Sequence, residues 1–204
     1  MQKFGTGGTT MTVNKPRYEL FYKDKLASMY PDQILKFEVP AANVRADAVL
    51  LTDPITAFEI KTERDTLERL ENQVANYFKV FPQVVAVVHV SKAEKAVELL
   101  KNTCAGVWSA DDDGEIEVIK KGSINTDNID HDAVFAFLRK YEHGHILRKY
   151  FGALPDSNDF RRYRDWLELF RTLSKDTIIK EMRDMCYLRW YKDRGKKDFF
   201  GLEN

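Results

Sequence analysis

Two carboxylates and a lysine occupy positions where a β-hairpin would bring them together. Asp47 lies in one strand-like segment, Glu59 and Lys61 lie in the next, and Asp53-Pro54 is the expected turn. Residues that face each other in an antiparallel pair have a constant sum of residue numbers, so a turn centred on Asp53 places Asp47 directly opposite Glu59. Their β-carbons would lie about 5 Å apart on one face of the sheet. Lys61 would point to the same face, because side chains alternate along a strand.

Carboxylates placed so close together repel each other unless a cation lies between them. Mg²⁺ commonly binds one or two carboxylates together with waters and phosphate oxygens. Lys61 would bring an ammonium beside such an ion, and Arg45, opposite Lys61 in the same register, would add a positive charge at the edge. A metal ion held in this way can lower the pKa of a bound water and neutralise charge that develops at a phosphate. The pattern predicts cleavage of a phosphodiester bond.

The same residues can also be interpreted as ordinary surface charges. Asp47 and Glu59 would then lie on a solvated face of the hairpin, and Lys61 would pair with Glu63 or another neighbour. Glu38, which ends the preceding strand-like segment, favours the metal site. It could supply a third acidic group for the same ion or for a second one.

The helix expected after the hairpin adds polar groups on one face. Gln73 and Tyr77 are in line with Arg69 and Asp65, because residues four apart share a helix face. An amide and a phenol there can orient a scissile phosphate or hold the carboxylates by hydrogen bonds. The alternative is an ion pair of Asp65 with Arg69 at the start of the helix, followed by a half-buried tyrosine.

Together these residues resemble the signature of a nuclease superfamily. Those that carry the resemblance are, in chain order, Glu38, Asp47, Glu59-Ile60-Lys61 and Gln73-Val74-Ala75-Asn76-Tyr77. They look like the motifs of the PD-(D/E)XK superfamily, which has the restriction-endonuclease-like fold, and the last of them is similar to the Gln-x-x-x-Tyr motif of its RecB-type branch. The chain is similar to small bacterial and phage members over roughly residues 18–120, although Ala46 stands where many members have proline.

The resemblance implies a metal centre. Asp47 and Glu59 would be ligands of Mg²⁺ or Mn²⁺, with the Ile60 carbonyl as a possible third ligand and Glu38 as a further acidic group. The implied function is a metal-dependent nuclease that hydrolyses phosphodiester bonds, with DNA as the expected substrate.

Three further residues have implied catalytic roles. Lys61 would activate water or stabilise the transition state, and Gln73 and Tyr77 would support the site. Members of the superfamily can lose activity or act on varied DNA and RNA substrates, so the fold does not determine the reaction. The alternative function is therefore a catalytically inactive module that binds nucleic acid or a host protein.

The distribution of charge indicates where nucleic acid would bind. The chain carries 32 basic and 32 acidic residues, but residues 131–204 contain 16 basic and 12 acidic ones. Cations and aromatic rings alternate there, a combination that neutralises phosphates and stacks on bases, although Tyr163 and Trp166 also fit an ordinary helix-packing stripe. The C-terminal helices are also a candidate dimer interface. The arginines expected to contact nucleic acid are Arg45, Arg69, Arg161, Arg162 and Arg164.

Composition excludes several classes of protein. Apolar residues make up 44% of the 204 residues, which is enough for a folded core. Cys104 and Cys186 are the only cysteines in the sequence, so neither a disulfide framework nor a zinc knuckle is expected. Without a long apolar run or a secretory signal pattern, the sequence predicts a cytoplasmic protein.

The periodicity of apolar residues predicts an α/β fold. A helix over 18–30 precedes three strands, and a helix from Asp65 to Phe81 precedes the apolar strand Val84–Val90. Another helix and two strands follow, joined by an Asp111–Gly114 turn rather than a calcium loop. The order predicts a restriction-endonuclease-like α-β-β-β-α-β sandwich with a mixed sheet. The expected regions are a flexible lead-in (1–16), a nuclease-like core (17–128) and a helical region packed on it (129–204).

Histidines are weaker candidates for the site. His143-Gly144-His145 is interpreted as a junction between helices rather than a metal site, since no third ligand is evident. His89 ends the strand after the candidate site and is interpreted as a core or rim residue.

Overall fold

The computed structural model describes residues 19–154 and 160–194, and the side chains of all of these except 160–162 and 192–194. Its centre is a six-stranded sheet with the strands in sequence order. The first three strands pair antiparallel, the third to the fifth pair parallel, and the last pair is antiparallel. The strands are β1 (Ile34–Ala41), β2 (Val44–Leu51), β3 (Thr56–Lys61), β4 (Gln83–His89), β5 (Gly106–Ala110) and β6 (Ile116–Lys120).

Helices cover both faces of the sheet, so the predicted mixed α/β class is confirmed. The described helices are α1 (Glu19–Met29), α2 (Leu70–Tyr77), α3 (Ala93–Leu100), α4 (His131–Phe137), α5 (Lys140–Phe151), α6 (Phe160–Arg171) and α7 (Lys175–Arg194). Tyr22 and Leu26 of α1 pack on one face, against Phe58. The other helices share a second hydrophobic cluster on the opposite face. None of the helices in the described ranges combines the length and the apolar character needed to cross a membrane.

The hairpin of β2 and β3 has the predicted register. Ala48 lies opposite Phe58 and Leu50 lies opposite Thr56, as expected for a turn at Asp53. All residues of β3 are buried, because β2 and β4 flank the strand and α1 and α2 cover its faces. Polar residues of β3 therefore lie inside the protein, not on the solvated surface that the alternative interpretation required.

The start of α2 differs from the prediction. The helix begins at Leu70, and Asp65 does not cap it. The Asp65 carboxylate instead accepts hydrogen bonds from the Thr62 backbone N–H (2.8 Å) and the Thr62 hydroxyl (2.6 Å). Asp65 thus closes the turn that follows β3, which moves the first turn of α2 further along the chain.

The predicted break at Gly144 is also wrong. Gly144 is buried inside α5, and the helix boundary falls at Leu138 and Arg139. A β-carbon at position 144 would lie 3.1 Å from the Trp166 ring. The missing side chain therefore allows close contact of α5 with α6 and does not end a helix.

The C-terminal helices pack on the sheet and on each other. α4 contacts β1, and α7 contacts β1 and β2. α5 and α7 are joined by the Glu142 carboxylate, which accepts hydrogen bonds from Arg189 Nε (2.8 Å) and Nη2 (2.6 Å). Both side chains are buried. The predicted lead-in, residues 1–16, lies outside the described residues.

Glu142→Gln should destabilise the fold. The change keeps the shape of the side chain but leaves the Arg189 guanidinium buried without a counter-charge. Breaking a buried ion pair in this way costs about 3–5 kcal/mol. Urea denaturation should show a loss of this size in the free energy of unfolding, whereas Glu168→Gln, in an exposed pair with Arg171, should cost less than about 1 kcal/mol. Equal losses for the two variants would contradict the prediction.

The two cysteines should differ in reactivity. Burial raises the pKa of the Cys186 thiol to about 12, so at pH 8 only roughly one thiol in ten thousand is the reactive thiolate. Cys104 is partly exposed. Titration of the native protein with a coloured disulfide reagent should modify Cys104 first, and both should react in guanidinium. Cys186→Ser should leave the native rate unchanged, and a large drop in that variant would overturn the assignment.

Candidate active site

The carboxylate of Glu59 is the centre of the candidate site. Glu59 is 1% exposed in the middle of β3. Its Oε1 accepts hydrogen bonds from Lys61 Nζ (2.5 Å) and Gln73 Nε2 (2.5 Å). Its Oε2 contacts the hydroxyl of Tyr77. The structure therefore brings Lys61, Gln73 and Tyr77 together around one buried acidic group.

Local structure accounts for this convergence. Lys61 is two residues after Glu59 in β3 and thus lies on the same face of the strand. Gln73 and Tyr77 are one helical turn apart on α2, which packs on that face. A carboxylate buried without partners would be costly. The ammonium, amide and phenol provide the hydrogen bonds that the Glu59 carboxylate loses with water.

Tyr77 also links Glu59 to the neighbouring strand. Its hydroxyl lies 2.7 Å from the backbone carbonyl of Arg45 in β2, and its single proton can be donated to only one of the two acceptors at a time. Burial, followed by the charge of Glu59, raises the pKa of Tyr77 well above its ordinary value. The phenol is therefore a neutral hydrogen-bond donor at any working pH.

Asp47 lies where β2 separates from β3. The pairing of the two strands ends at Ala48 and Phe58. Beyond that point Asp47 Oδ2 accepts a hydrogen bond from the Ile60 backbone N–H at 2.6 Å. The Asp47 side chain thus takes the place of a backbone acceptor, one residue from Glu59 along β3.

The hydrogen bond at Ile60 also indicates the direction in which the Ile60 carbonyl points. In a strand, the N–H and the C=O of one residue point to the same neighbouring strand. Because the Ile60 N–H points to Asp47, its carbonyl oxygen is directed to the same side of β3. This carbonyl is the group that the family resemblance implies as a possible third ligand.

The surroundings of Asp47 disfavour the charged form of its carboxylate. Burial, and after it the charge of Glu59, raises the pKa of Asp47 to about 7. Burial and the charge of Glu59 thus disfavour ionisation of Asp47 in the folded protein. A cation bound beside Asp47 would stabilise its charged form.

Glu38 lies opposite Asp47 in the register of β1 and β2, between the pairs Phe37–Ala48 and Val39–Ala46. Its backbone has a φ of 54°, a left-handed conformation that is uncommon for residues other than glycine. The Glu38 carboxylate contacts Lys23 of α1 and lies 3.4 Å from Arg45 Nη1. Oxygen atoms of Glu19, Glu38 and Asp47 all lie within 4.8 Å of one another.

Lys23 and Glu19 were not identified from the sequence. They are one helical turn apart on α1 and form an ion pair at 2.5 Å. The available signal was a lysine on the apolar face of a helix, because Lys23 lies three residues before the buried Leu26. Only the packing of α1 on the sheet brings these two residues to Glu38.

The arginines expected to contact nucleic acid are spread over several elements. Arg45 is exposed at the rim of the site and pairs with Glu38. Arg69 is exposed immediately before α2, and Arg164 is exposed on α6, which packs on α4 and α5. The side chains of Arg161 and Arg162 lie outside the described part of the structure.

A second group of ligand-type side chains follows the parallel strands. His89 Nε2 lies 2.9 Å from Asp112 Oδ1, and His89 Nδ1 lies 2.7 Å from Ser91 Oγ. Atoms of Glu63, His89 and Asp112 lie within 4.8 Å of one another. The prediction that His89 is a core or rim residue is confirmed, because its ring is buried at the end of β4.

The structure also decides between the interpretations of His143 and of the Asp111–Gly114 segment. His143 is not at a helix junction but inside α5, where its ring stacks on Phe135 and its Nε2 bonds the Phe135 carbonyl. Burial lowers its pKa, so His143 is a neutral core residue. The Asp111–Gly114 segment is a hairpin turn as predicted, with Asp111 Oδ1 accepting the Asp113 and Glu115 N–H groups.

The oxygen atoms of the site are of the types that bind divalent cations. Asp47, Glu59 and the Ile60 carbonyl offer the oxygen ligands that Mg²⁺ and Mn²⁺ prefer. Within the described residues, Gln73 Oε1 is buried and lacks a hydrogen-bond partner, so the site contains an unused acceptor beside Glu59. The arrangement could bind a cation and hold an ammonium next to it.

Comparison with known proteins gives one finding. No curated protein and no solved structure matches the chain. A family model described as Bacteriophage P4 protein cII matches residues 23–200, which include Asp47, Glu59 and Lys61 and make up most of the 204 residues. The chain therefore belongs to the bacteriophage P4 protein cII family.

Proposed function

We propose that the protein is a metal-dependent nuclease of the PD-(D/E)XK type that hydrolyses phosphodiester bonds in DNA. The observation that carries the proposal is the buried Glu59 carboxylate, held by Lys61, Gln73 and Tyr77 and separated by one residue from the Asp47 contact at Ile60. A structural ion pair would need only Lys61. The additional amide, phenol and second carboxylate support a catalytic role.

The arrangement of elements supports a restriction-endonuclease-like fold as part of the proposal. Asp47 comes from β2, Glu59 and Lys61 come from the adjoining β3, and Gln73 and Tyr77 come from the helix that connects β3 to the parallel β4. This is the order of elements that the sequence motifs imply. Membership of a bacteriophage family is compatible with a phage nuclease.

In the proposed reaction, Asp47, Glu59 and the Ile60 carbonyl would hold Mg²⁺ or Mn²⁺. The bound ion would supply a water of lowered pKa and neutralise negative charge at the phosphate. Gln73 and Tyr77 keep the Glu59 carboxylate in one orientation through hydrogen bonds to its two oxygens. Lys61 directs a positive charge toward the same face, where it can stabilise the pentavalent phosphate or orient the attacking water.

The substrate would approach along the exposed rim. Arg45 is exposed there, and its carbonyl accepts a hydrogen bond from Tyr77, so it can bring a guanidinium to the phosphate backbone near the carboxylates. Arg69, exposed before α2, is a second candidate for this contact. Contacts of this kind position DNA without reading its sequence.

A second candidate function is a catalytically inactive module that binds nucleic acid or a host protein. The observation that favours it is the saturation of the carboxylates by donors from the chain itself. Both oxygens of Glu59 accept hydrogen bonds from side chains, and both oxygens of Glu38 contact cations. Such a network is stable without a metal ion.

Cleavage of DNA should depend on metal and on the central residues. Purified protein should cut plasmid or linear DNA with Mg²⁺ or Mn²⁺, and chelation with EDTA should abolish cutting. Asp47→Asn, Glu59→Gln and Lys61→Met should each lower the rate by about 100-fold or more, because each removes charge from the site of reaction. Gel assays with single- and double-stranded DNA and RNA would measure this.

The matched control is Glu117→Gln, which changes an exposed glutamate on β6 and should keep full activity. Activity that survives both EDTA and Asp47→Asn would contradict the proposal. DNA binding without cutting, unchanged in Glu59→Gln, would instead support the inactive module.

Tyr77→Phe should slow cleavage by disturbing the orientation of Glu59 without changing the affinity for DNA. The change removes the phenolic proton that the Glu59 carboxylate and the Arg45 carbonyl share, so a buried acceptor loses its donor at a cost of about 1–3 kcal/mol. We expect lower thermal stability and at least a tenfold lower cleavage rate, with DNA affinity unchanged in a filter-binding assay. Tyr191→Phe, an exposed tyrosine on α7, should change none of these.

A further inference from the structure

Lys23 brings a positive charge into the group of acidic residues beside the candidate site. Its side chain is 10% exposed, although it belongs to a helix on the surface of the sheet. Its ammonium lies 2.5 Å from Glu19 Oε1 and contacts Glu38 Oε1. A lysine that gives up most of its hydration in this way needs such carboxylates close to it.

The carboxylates around Lys23 are those that could bind a second metal ion. Oxygen atoms of Glu19, Glu38 and Asp47 lie within 4.8 Å of one another, close enough to be bridged by a single cation. In this structure the chain supplies a cation itself, because Lys23 contacts Glu19 and Glu38.

Glu38 is also engaged on its other oxygen. Its Oε1 contacts Lys23 and its Oε2 lies 3.4 Å from Arg45 Nη1. A metal ion at Glu38 would have to displace these groups and would lie beside two positive side chains. Repulsion between like charges opposes such binding.

We propose that the Lys23 ammonium occupies the position of a second metal ion, so that the active centre binds one divalent cation, at Asp47 and Glu59. This inference rests on the proposed function. In this arrangement Glu38 is not a metal ligand but holds the Lys23 ammonium in place. Lys23 is then a positioning residue, which acts through the acidic side chains and does not contact the substrate. Nucleases that use a pair of metal ions place them roughly 4 Å apart; here the chain's own ammonium replaces one of them.

The test is the number of Mn²⁺ ions bound per folded chain, measured by isothermal titration calorimetry and by electron paramagnetic resonance of free Mn²⁺. Only ions that are lost in Asp47→Asn are counted. An ion bound at Glu63, His89 and Asp112 would persist in Asp47→Asn and is therefore not counted, and its loss in His89→Gln identifies it. The wild-type protein should bind one counted ion.

Lys23→Met should raise the number to two, because it removes the ammonium and retains the length of the side chain. Lys23→Arg retains the positive charge and should keep the number at one. The double variant Lys23→Met/Glu38→Gln should return to one, because the second ion would need the Glu38 carboxylate. Circular dichroism melts would establish that each variant is folded.

Glu38→Gln alone keeps the inference falsifiable if Lys23→Met fails to fold. It should change the dissociation constant of the counted ion by less than about threefold, whereas loss of a metal ligand should weaken binding at least as much as the roughly tenfold or more that loss of a ligand's hydrogen-bond partner costs. Two counted ions in the wild type, one in Lys23→Met, or a tenfold weaker ion in Glu38→Gln would each overturn the inference. If the wild type binds no ion that depends on Asp47, the proposed function itself fails.

Discussion

The structure around the candidate site depends on one constraint, the burial of the Glu59 carboxylate in the middle of β3. An ionised carboxylate away from water is tolerated only with charge compensation and hydrogen bonds. Lys61 supplies the charge, and Gln73 and Tyr77 supply the hydrogen bonds. The placement of α2 on this face of the sheet, with Gln73 and Tyr77 beside Glu59, follows from that requirement.

The second condition is the separation of β2 from β3. A continuous ladder would use the Ile60 N–H for backbone pairing, and Asp47 would be left to project from the sheet. Because pairing ends at Ala48, the Asp47 carboxylate binds the Ile60 N–H directly. The two acidic groups are thus held by backbone and helix contacts on strands that lie in the interior. Sites on such elements are held more precisely than sites on loops.

Much of the sheet and the core of the site followed from the sequence. Alternation and the turn at Asp53 determine the hairpin register, and helical spacing puts Gln73 and Tyr77 on one face. Prediction from the local sequence pattern was wrong where one residue type can have two structural roles. Asp65 can cap a helix or close a turn, and Gly144 can end a helix or permit close packing. Lys23 was missed because its partner Glu38 comes from β1, which only tertiary packing brings near.

The left-handed backbone of Glu38 has a consequence for how this sequence could change. A residue with a β-carbon pays roughly 1–3 kcal/mol for this conformation, and glycine would adopt it without that penalty. Glycine at position 38 would relieve the backbone but remove the carboxylate that meets Lys23 and Arg45. Glycine would therefore remove a backbone penalty and lose an ion pair with the poorly hydrated Lys23, so selection for heat resistance would favour glutamate only where the ion pair outweighs the backbone cost.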